Sequence, residues 1–154
     1  MLRPRTPVLR NKTELLNILN AFHQGEYQTV IDTDSASFSK SNAVQLRVLQ
    51  LRSQIASGFA EEALADIADE KPDVPDFKAV KALALLATGN TSEALSEAES
   101  LASASPENAT VQVLGGTVLQ AAGKTEEALA LLTKHQGNLE AYKTPNLSSP
   151  SKPY

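Results

Sequence analysis

Three stretches of the sequence share one pattern: GFAEEALAD at 58–66, GNTSEALSE at 89–97 and GKTEEALAL at 123–131. Each stretch begins with Gly and places Glu-Ala-Leu four to six residues later. Gly commonly ends a helix, and acidic side chains are stabilised in the first turn of the next helix by the peptide dipoles. The pattern therefore predicts a turn that leads into a new helix, three times.

A weaker fourth copy, GEYQTVID at 25–32, extends the pattern towards the N-terminus. The turn glycines are Gly25, Gly58, Gly89 and Gly123, at intervals of 33, 31 and 34 residues. Five residues after each Gly stands a small or β-branched apolar residue, namely Val30, Ala63, Ala94 and Ala128. Helical pairs with a period near 34 residues are typical of tetratricopeptide-like arrays, in which each pair buries its apolar face on the next.

An amphipathic segment precedes each turn. Val48, Leu51 and Ile55 stand ten, seven and three residues before Gly58, and such spacings mark one helical face. We predict helices at 13–24, 26–34, 42–57, 60–69, 76–88, 91–104, 107–122 and 125–135, with Ser105 as the N-cap and Pro106 as the first residue of the seventh. No strand pattern competes. The expected fold is an all-α, tetratricopeptide-like helical repeat superhelix (an α-solenoid), right-handed and with a concave inner surface.

The expected organisation is one repeat domain of about four helical pairs at 13–141, flanked by two disordered segments. Residues 1–12 form a basic arm, whose two prolines favour disorder over a mitochondrial targeting helix. Residues 139–142 are predicted to form a short helical stub. The segment 142–154 is a tail rich in Pro and Ser without periodicity.

Composition excludes several functional classes. The chain has no Cys, which removes disulfides, thiolate catalysis and cysteine-bound zinc, and fits the reducing cytosol. Its net charge of −4 argues against nucleic acid as a general partner, because phosphate binding needs a basic field. Its apolar runs fall far short of the roughly 20 residues needed to span a membrane, so we expect a soluble protein.

Motifs for catalysis, cofactors or metals are incomplete. The string GKT at 123–125 ends like a phosphate-binding loop, but that motif needs Gly where Val118 stands. A calcium loop beginning at Asp32 would lack the ligand at its fifth position, where Ala36 stands, and the Gly at its sixth, where Ser37 stands. His23 and His135 lie too far apart in sequence to form a local metal motif, and the paired glutamates recur at helix starts, where the dipole explains them. We therefore expect no enzyme, no cofactor and no metal site.

The inner wall of such an array comes from the first helix of each pair. Positions ten, six, three and two before each turn Gly are expected to face inward: Leu15, Leu19, Phe22, His23, Val48, Arg52, Ile55, Ala56, Ala79, Leu83, Leu86, Ala87, Val113, Thr117, Gln120 and Ala121. Eight of them are our candidates for partner binding: Leu19, Phe22, Arg52, Ile55, Leu83, Leu86, Thr117 and Gln120.

The predicted wall is mostly apolar, and Arg52 is its only strong cation. Repeat proteins that clamp an acidic C-terminal peptide need several cations there. The wall therefore favours an extended protein segment with apolar side chains, although some of its residues fit a core role equally well.

Two longer stretches resemble the coatomer epsilon subunit family. They are LLNILNAFHQGEYQTVID at 15–32 and ENATVQVLGGTVLQAAGKTEEALALLTKHQGNLEA at 107–141, and the second is similar to fungal members. The resemblance implies a structural subunit of the coat on Golgi-derived vesicles, in the cytoplasm and peripheral on Golgi membrane, serving retrograde and intra-Golgi transport. It also implies a repeat superhelix that wraps an extended part of the C-terminal region of the coatomer alpha subunit.

The chain departs from the family and from the repeat consensus in two respects. Epsilon subunits continue through about as much helical sequence again, so we expect a truncated or alternatively spliced form of the N-terminal half. The bulky early aromatic of the tetratricopeptide consensus is also missing. A cytosolic adaptor or co-chaperone with the same fold, binding other protein segments, is the alternative interpretation.

Overall fold

The computed structural model describes residues 7–139, with side chains from 15 to 134 apart from 37 and 41. Eight α-helices follow one another along these residues: α1 (Pro7–His23), α2 (Tyr27–Ile31), α3 (Lys40–Ala56), α4 (Ala60–Ala68), α5 (Pro75–Ala87), α6 (Thr91–Ala104), α7 (Gly116–Ala121) and α8 (Thr125–Leu139). A 3₁₀ turn (Ser35–Ser37) precedes α3, and a π-helical turn (Val111–Gly115) runs directly into α7. No strand occurs between residues 7 and 139.

The predicted helices are confirmed in number and order, and α6 has the predicted bounds. The largest difference at the N-terminus is that α1 begins at Pro7, so the backbone of 7–12 is helical where we expected a disordered arm. Pro fits this place because the first helical residue needs no N–H hydrogen bond. At the other end, α8 continues to Leu139. Residues 1–6, most of the predicted stub and the predicted tail at 142–154 lie outside the described residues.

The four turns between the helices of each pair have one geometry. The turn glycines adopt φ values from 83° to 94°, a region that other residues enter at a cost. Each Gly N–H donates to the carbonyl three residues back at 3.1 Å, and the next N–H donates to the carbonyl five residues back at 2.8–2.9 Å. This pair of bonds is the Schellman motif. Its fourfold recurrence confirms that the Gly spacing marks a structural repeat.

The start of the fourth pair differs from the prediction. Ser105 is the C-cap of α6, and Pro106 lies in the following turn, which the Asn108 N–H closes on the Ser105 carbonyl at 3.2 Å. The Asn108 side chain caps the next helical segment, because its Oδ1 accepts from the N–H of Val111 at 3.0 Å. The predicted cap Ser105–Pro106 is therefore wrong. Pro also favours the second position of a turn, and here it takes that role.

The residues five places after each turn Gly pack between helices. Val30, Ala63 and Ala94 are fully buried, and Ala128 is 2% exposed. Small side chains at these places allow the helix axes to approach closely. Around them lie a central core cluster and a C-terminal core cluster. The central core cluster includes Val48, Leu51, Phe77, Val80, Leu101, Val111 and Leu114, and the C-terminal core cluster includes Leu85, Val118, Leu119 and Leu131.

Contacts between helices run stepwise along the chain. The helix α3 packs on α1, α2, α4 and α5, whereas α5 packs on α6, the π-helical turn and α7. The last helix, α8, packs on α7 and the π-helical turn. Each pair thus buries its apolar face on its neighbours, as the sequence period predicts. Residues 7–139 therefore form an all-α helical-repeat solenoid.

Candidate partner-binding groove

A concave groove of about 510 Å³ opens between the first helices of three pairs. Its lining comes from α1, from α3, and from the π-helical turn with the two residues before it. The lining residues are Leu15, Leu19, His23, Gln45, Val48, Leu49, Arg52, Ala109, Thr110, Val113 and Leu114. Seven of these side chains are apolar and none is acidic. We refer to this surface as the groove.

Arg52 is the one strong cation of the groove. Its guanidinium carbon lies 4.6 Å from the centroid of the Phe22 ring, so α3 places a cation over an aromatic face of α1. The Nε atom of Arg52 is buried and has no hydrogen-bond partner among the described residues. Burial lowers the pKa of the Arg52 guanidinium, and the nearby Tyr27 phenol partly opposes that effect. The side chain remains cationic at neutral pH.

Two further rings near the turn between α1 and α2 pack against the Phe22 ring that lies beneath Arg52. The Phe22 ring meets His23 at a centroid distance of 5.6 Å and Tyr27 at 5.7 Å, and both contacts are edge-to-face. Such contacts favour one ring orientation over others. Phe22 also packs against the small core of Ala21, Val30 and Leu49. The plane beneath Arg52 is therefore fixed by packing on several sides.

A buried carboxylate joins the elements next to the groove. Asp76, the second residue of α5, accepts hydrogen bonds from Thr110 Oγ1 at 2.7 Å, Asn108 Nδ2 at 3.0 Å and Gln45 Nε2 at 3.4 Å. Gln45 and Thr110 both line the groove. The network connects α3, α5 and the segment before the π-helical turn. It therefore sets the position of two groove walls relative to each other.

Comparison with known proteins assigns the chain to a family. The family model described as "Coatomer epsilon subunit" matches residues 11–144. The chain belongs to the coatomer epsilon subunit family. No curated protein and no solved structure matches it significantly. The family is one of structural coat subunits rather than enzymes, so protein partners within the coat are implied for this epsilon-family chain.

Two further findings describe the same residues of the epsilon-family chain. No three His, Asp or Glu side chains among the described residues stand close enough to hold a metal ion. None of the helices between residues 7 and 139 is both long and apolar enough to cross a membrane.

Two of the eight predicted partner-binding residues line the groove, and a third adjoins it. Leu19 and Arg52 are lining residues, and the Arg52 guanidinium lies over the Phe22 ring. Of the wider predicted wall, four further residues line the groove: Leu15, His23, Val48 and Val113.

The other five predicted residues of the epsilon-family chain lie outside this lining. Ile55 and Leu83 pack half-buried against the central core cluster, and Leu86 packs against the C-terminal core cluster. Thr117 and Gln120 are exposed on α7, where Thr117 Oγ1 donates to the Val113 carbonyl at 2.8 Å. Their role in partner binding stays a prediction.

Five lining residues of the epsilon-family chain were missed because the prediction used only the positions ten, six, three and two before each Gly. Leu49 and Leu114 stand nine residues before Gly58 and Gly123, and Gln45 and Thr110 stand thirteen before them. The same offsets recur in two repeats, so the sequence contained the signal. Ala109, the fifth, stands fourteen residues before Gly123, at the start of the helical segment that the Asn108 side chain caps.

Proposed function

We propose that this chain is a structural subunit of the coatomer coat and binds the C-terminal region of the coatomer alpha subunit in the groove. In this role it supports Golgi-to-endoplasmic-reticulum retrograde and intra-Golgi transport, from the cytoplasm and from the periphery of Golgi membrane and coated vesicles. The single observation that carries the proposal is the concave, largely apolar surface on which three helical pairs of a coatomer epsilon family member converge.

The lining favours a protein segment with apolar side chains as the ligand. Leu15, Leu19 and Val113 are only half-buried, so the groove keeps apolar surface in contact with water. Covering such surface stabilises a complex by about 25 cal/mol per Å² before the costs of association. An extended segment can contact α1, α3 and the π-helical turn together.

The alternative, a co-chaperone that clamps acidic peptides, needs several cations in the groove. Arg52 is the only Lys or Arg among the lining residues, and His23 is the one other basic side chain. Affinity capture from a fungal lysate followed by mass spectrometry separates the two functions. Recovery of coat subunits supports the proposal, whereas recovery of chaperones alone contradicts it.

The groove itself is tested by filling it. Ala109 lines the groove and is exposed, so Ala109→Trp adds bulk there without disturbing a core. Ala65 is also exposed, on α4 and outside the groove, and Ala65→Trp is the matched control. We expect Ala109→Trp to weaken binding of the recombinant C-terminal region of the alpha subunit at least tenfold by calorimetry.

Ala65→Trp should bind like the wild type, and both variants should keep its melting temperature within a few degrees. Equal binding by the two variants would place the contact surface elsewhere. Leu83→Glu is a poorer test, although Leu83 is a predicted wall residue. Its side chain packs against the central core cluster, so the substitution would unfold the protein rather than probe binding.

A further inference from the structure

The groove carries a positive charge and no negative charge. Arg52 is its only guanidinium or ammonium group, and no lining residue is acidic. Asp76, the carboxylate next to the groove, already accepts hydrogen bonds from Gln45, Asn108 and Thr110. Arg52 is therefore a cation in apolar surroundings without an anion from the described residues.

The Phe22 ring contacts one face of the Arg52 guanidinium but accepts no hydrogen bond from its N–H groups. An aromatic face attracts a cation through its quadrupole and provides no acceptor oxygen. The guanidinium has five N–H donors in a planar fork, and the buried Nε–H has no acceptor within the described residues. A carboxylate is the acceptor that matches the outer edge of this fork, because its two oxygens accept two parallel N–H bonds from Nη1 and Nη2.

The segments of this chain outside the described residues complement Arg52 poorly. Residues 1–6 contain two Arg and no acid, and 140–154 contain two Lys and one Glu. The side-chain charges sum to +2 in 1–6 and to +1 in 140–154, so neither segment brings a net negative charge to Arg52. Arg52 thus favours a segment from another protein that contains one acidic side chain.

We propose that the segment held in the groove carries one Asp or Glu whose carboxylate pairs with Arg52, while apolar side chains of the same segment cover Leu15, Leu19 and Val113. This inference rests on the proposed function and names the chemistry of the partner segment. The carboxylate fixes the register of the segment, because Phe22 holds the Arg52 guanidinium in one place.

The first test compares two arginines on one helix. Arg47 also lies on α3 but points away from the groove to Glu70 and Asp66, at 3.2 and 3.8 Å. Binding of the recombinant C-terminal region of the alpha subunit is measured by calorimetry for the wild type, Arg52→Gln, Arg52→Lys and Arg47→Gln. We expect at least a tenfold loss for Arg52→Gln, a smaller loss for Arg52→Lys and no change for Arg47→Gln.

The second test leaves this chain unchanged and scans the partner. Each Asp or Glu of the recombinant region is replaced in turn by Asn or Gln. We expect one replacement to weaken binding to the wild type as much as Arg52→Gln does, and to have no further effect on Arg52→Gln. Because the wild type is used, the result does not depend on the folding of a variant.

The outcomes separate the inference from the proposed function. If the wild type does not bind the alpha-subunit region, the proposed function is overturned and the inference with it. If the wild type binds but Arg52→Gln stays within twofold of it, or no single carboxylate reproduces the loss, only the inference is overturned.

Discussion

Gly116 lies against Leu132 so closely that a Cβ added to Gly116 would stand 2.8 Å from Cγ of Leu132. Two helices, α7 and α8, meet at this point, so even one methyl group forces Leu132 to move. We expect Gly116→Ala to destabilise the protein by about 1–3 kcal/mol, as overpacked cores do. Urea denaturation followed by circular dichroism measures the change.

Gly115 provides the control for that substitution. A Cβ at Gly115 would meet the end of Leu131 at 3.2 Å and Cγ1 of Val111 at an ordinary contact distance of 3.8 Å. Helix propensity favours Ala over Gly by up to about 1 kcal/mol. Gly115→Ala should therefore be closer to the wild type than Gly116→Ala. Equal effects of the two substitutions would show that the close approach of α8 is not at Gly116.

Gly58 tests the backbone of the repeated turn. Its φ is +94°, and no atom lies within 4 Å of an added Cβ, so substitution there acts on the backbone alone. We expect Gly58→Ala to cost about 1–2 kcal/mol, the cost of left-handed backbone for an L-residue. Asn tolerates this conformation better, so Gly58→Asn should lose less. Thermal melts that rank Asn below Ala would contradict the turn geometry.

Asp76 tests the network beside the groove. Asp76→Ala leaves the donors of Asn108 and Thr110 without their acceptor in a half-buried site, which costs about 1–3 kcal/mol. Asp73 is exposed, three residues earlier, and Asp73→Ala should change stability by no more than about 0.5 kcal/mol. Chemical denaturation of both variants checks the difference, and two equal midpoints would argue against the network.

The exposure of Leu129 predicts lower stability at the C-terminal end of the array. The equivalent residues Ile31, Leu64 and Leu95 are half-buried, whereas Leu129 is 59% exposed because no further described pair covers α8. By hydrogen exchange we expect residues 107–135 to exchange faster than 42–104 in dilute solution, and their protection to rise with protein concentration. Uniform protection in a demonstrated monomer would mean that this end is covered.

Local residue preferences were sufficient to predict the repeat, but not the ends of every element. The Gly turns and the buried Ala positions follow from backbone conformation and side-chain size, and both are confirmed. The predicted end of α2 at residue 34 is too late. The helix ends at Ile31, and Gln50 Nε2 of α3 bonds the carbonyls of Val30, Ile31 and Thr33. A partner so distant in sequence leaves no local signal.

The groove could be predicted only incompletely for the same reason. Counting back from the Gly found Leu19, Arg52 and Val113, because helical periodicity fixes which residues share a face. It also selected Leu83 and Leu86, which pack against core clusters. The curvature of the array decides which equivalent positions meet, and that curvature arises from contacts such as Asp76 to Thr110 rather than from any single helix.

The stepwise packing of the pairs has a mechanical consequence. A stretching force applied between α1 and α8 acts on the interfaces between pairs one after another. We expect these interfaces to separate in succession. Each pair that unfolds would lengthen the chain by a contour length on the order of 100 Å. A segment bound in the groove would contact α1, α3 and the π-helical turn together, because all three line it. Such a segment would connect these elements directly, so we expect the occupied solenoid to resist extension more strongly than the empty one.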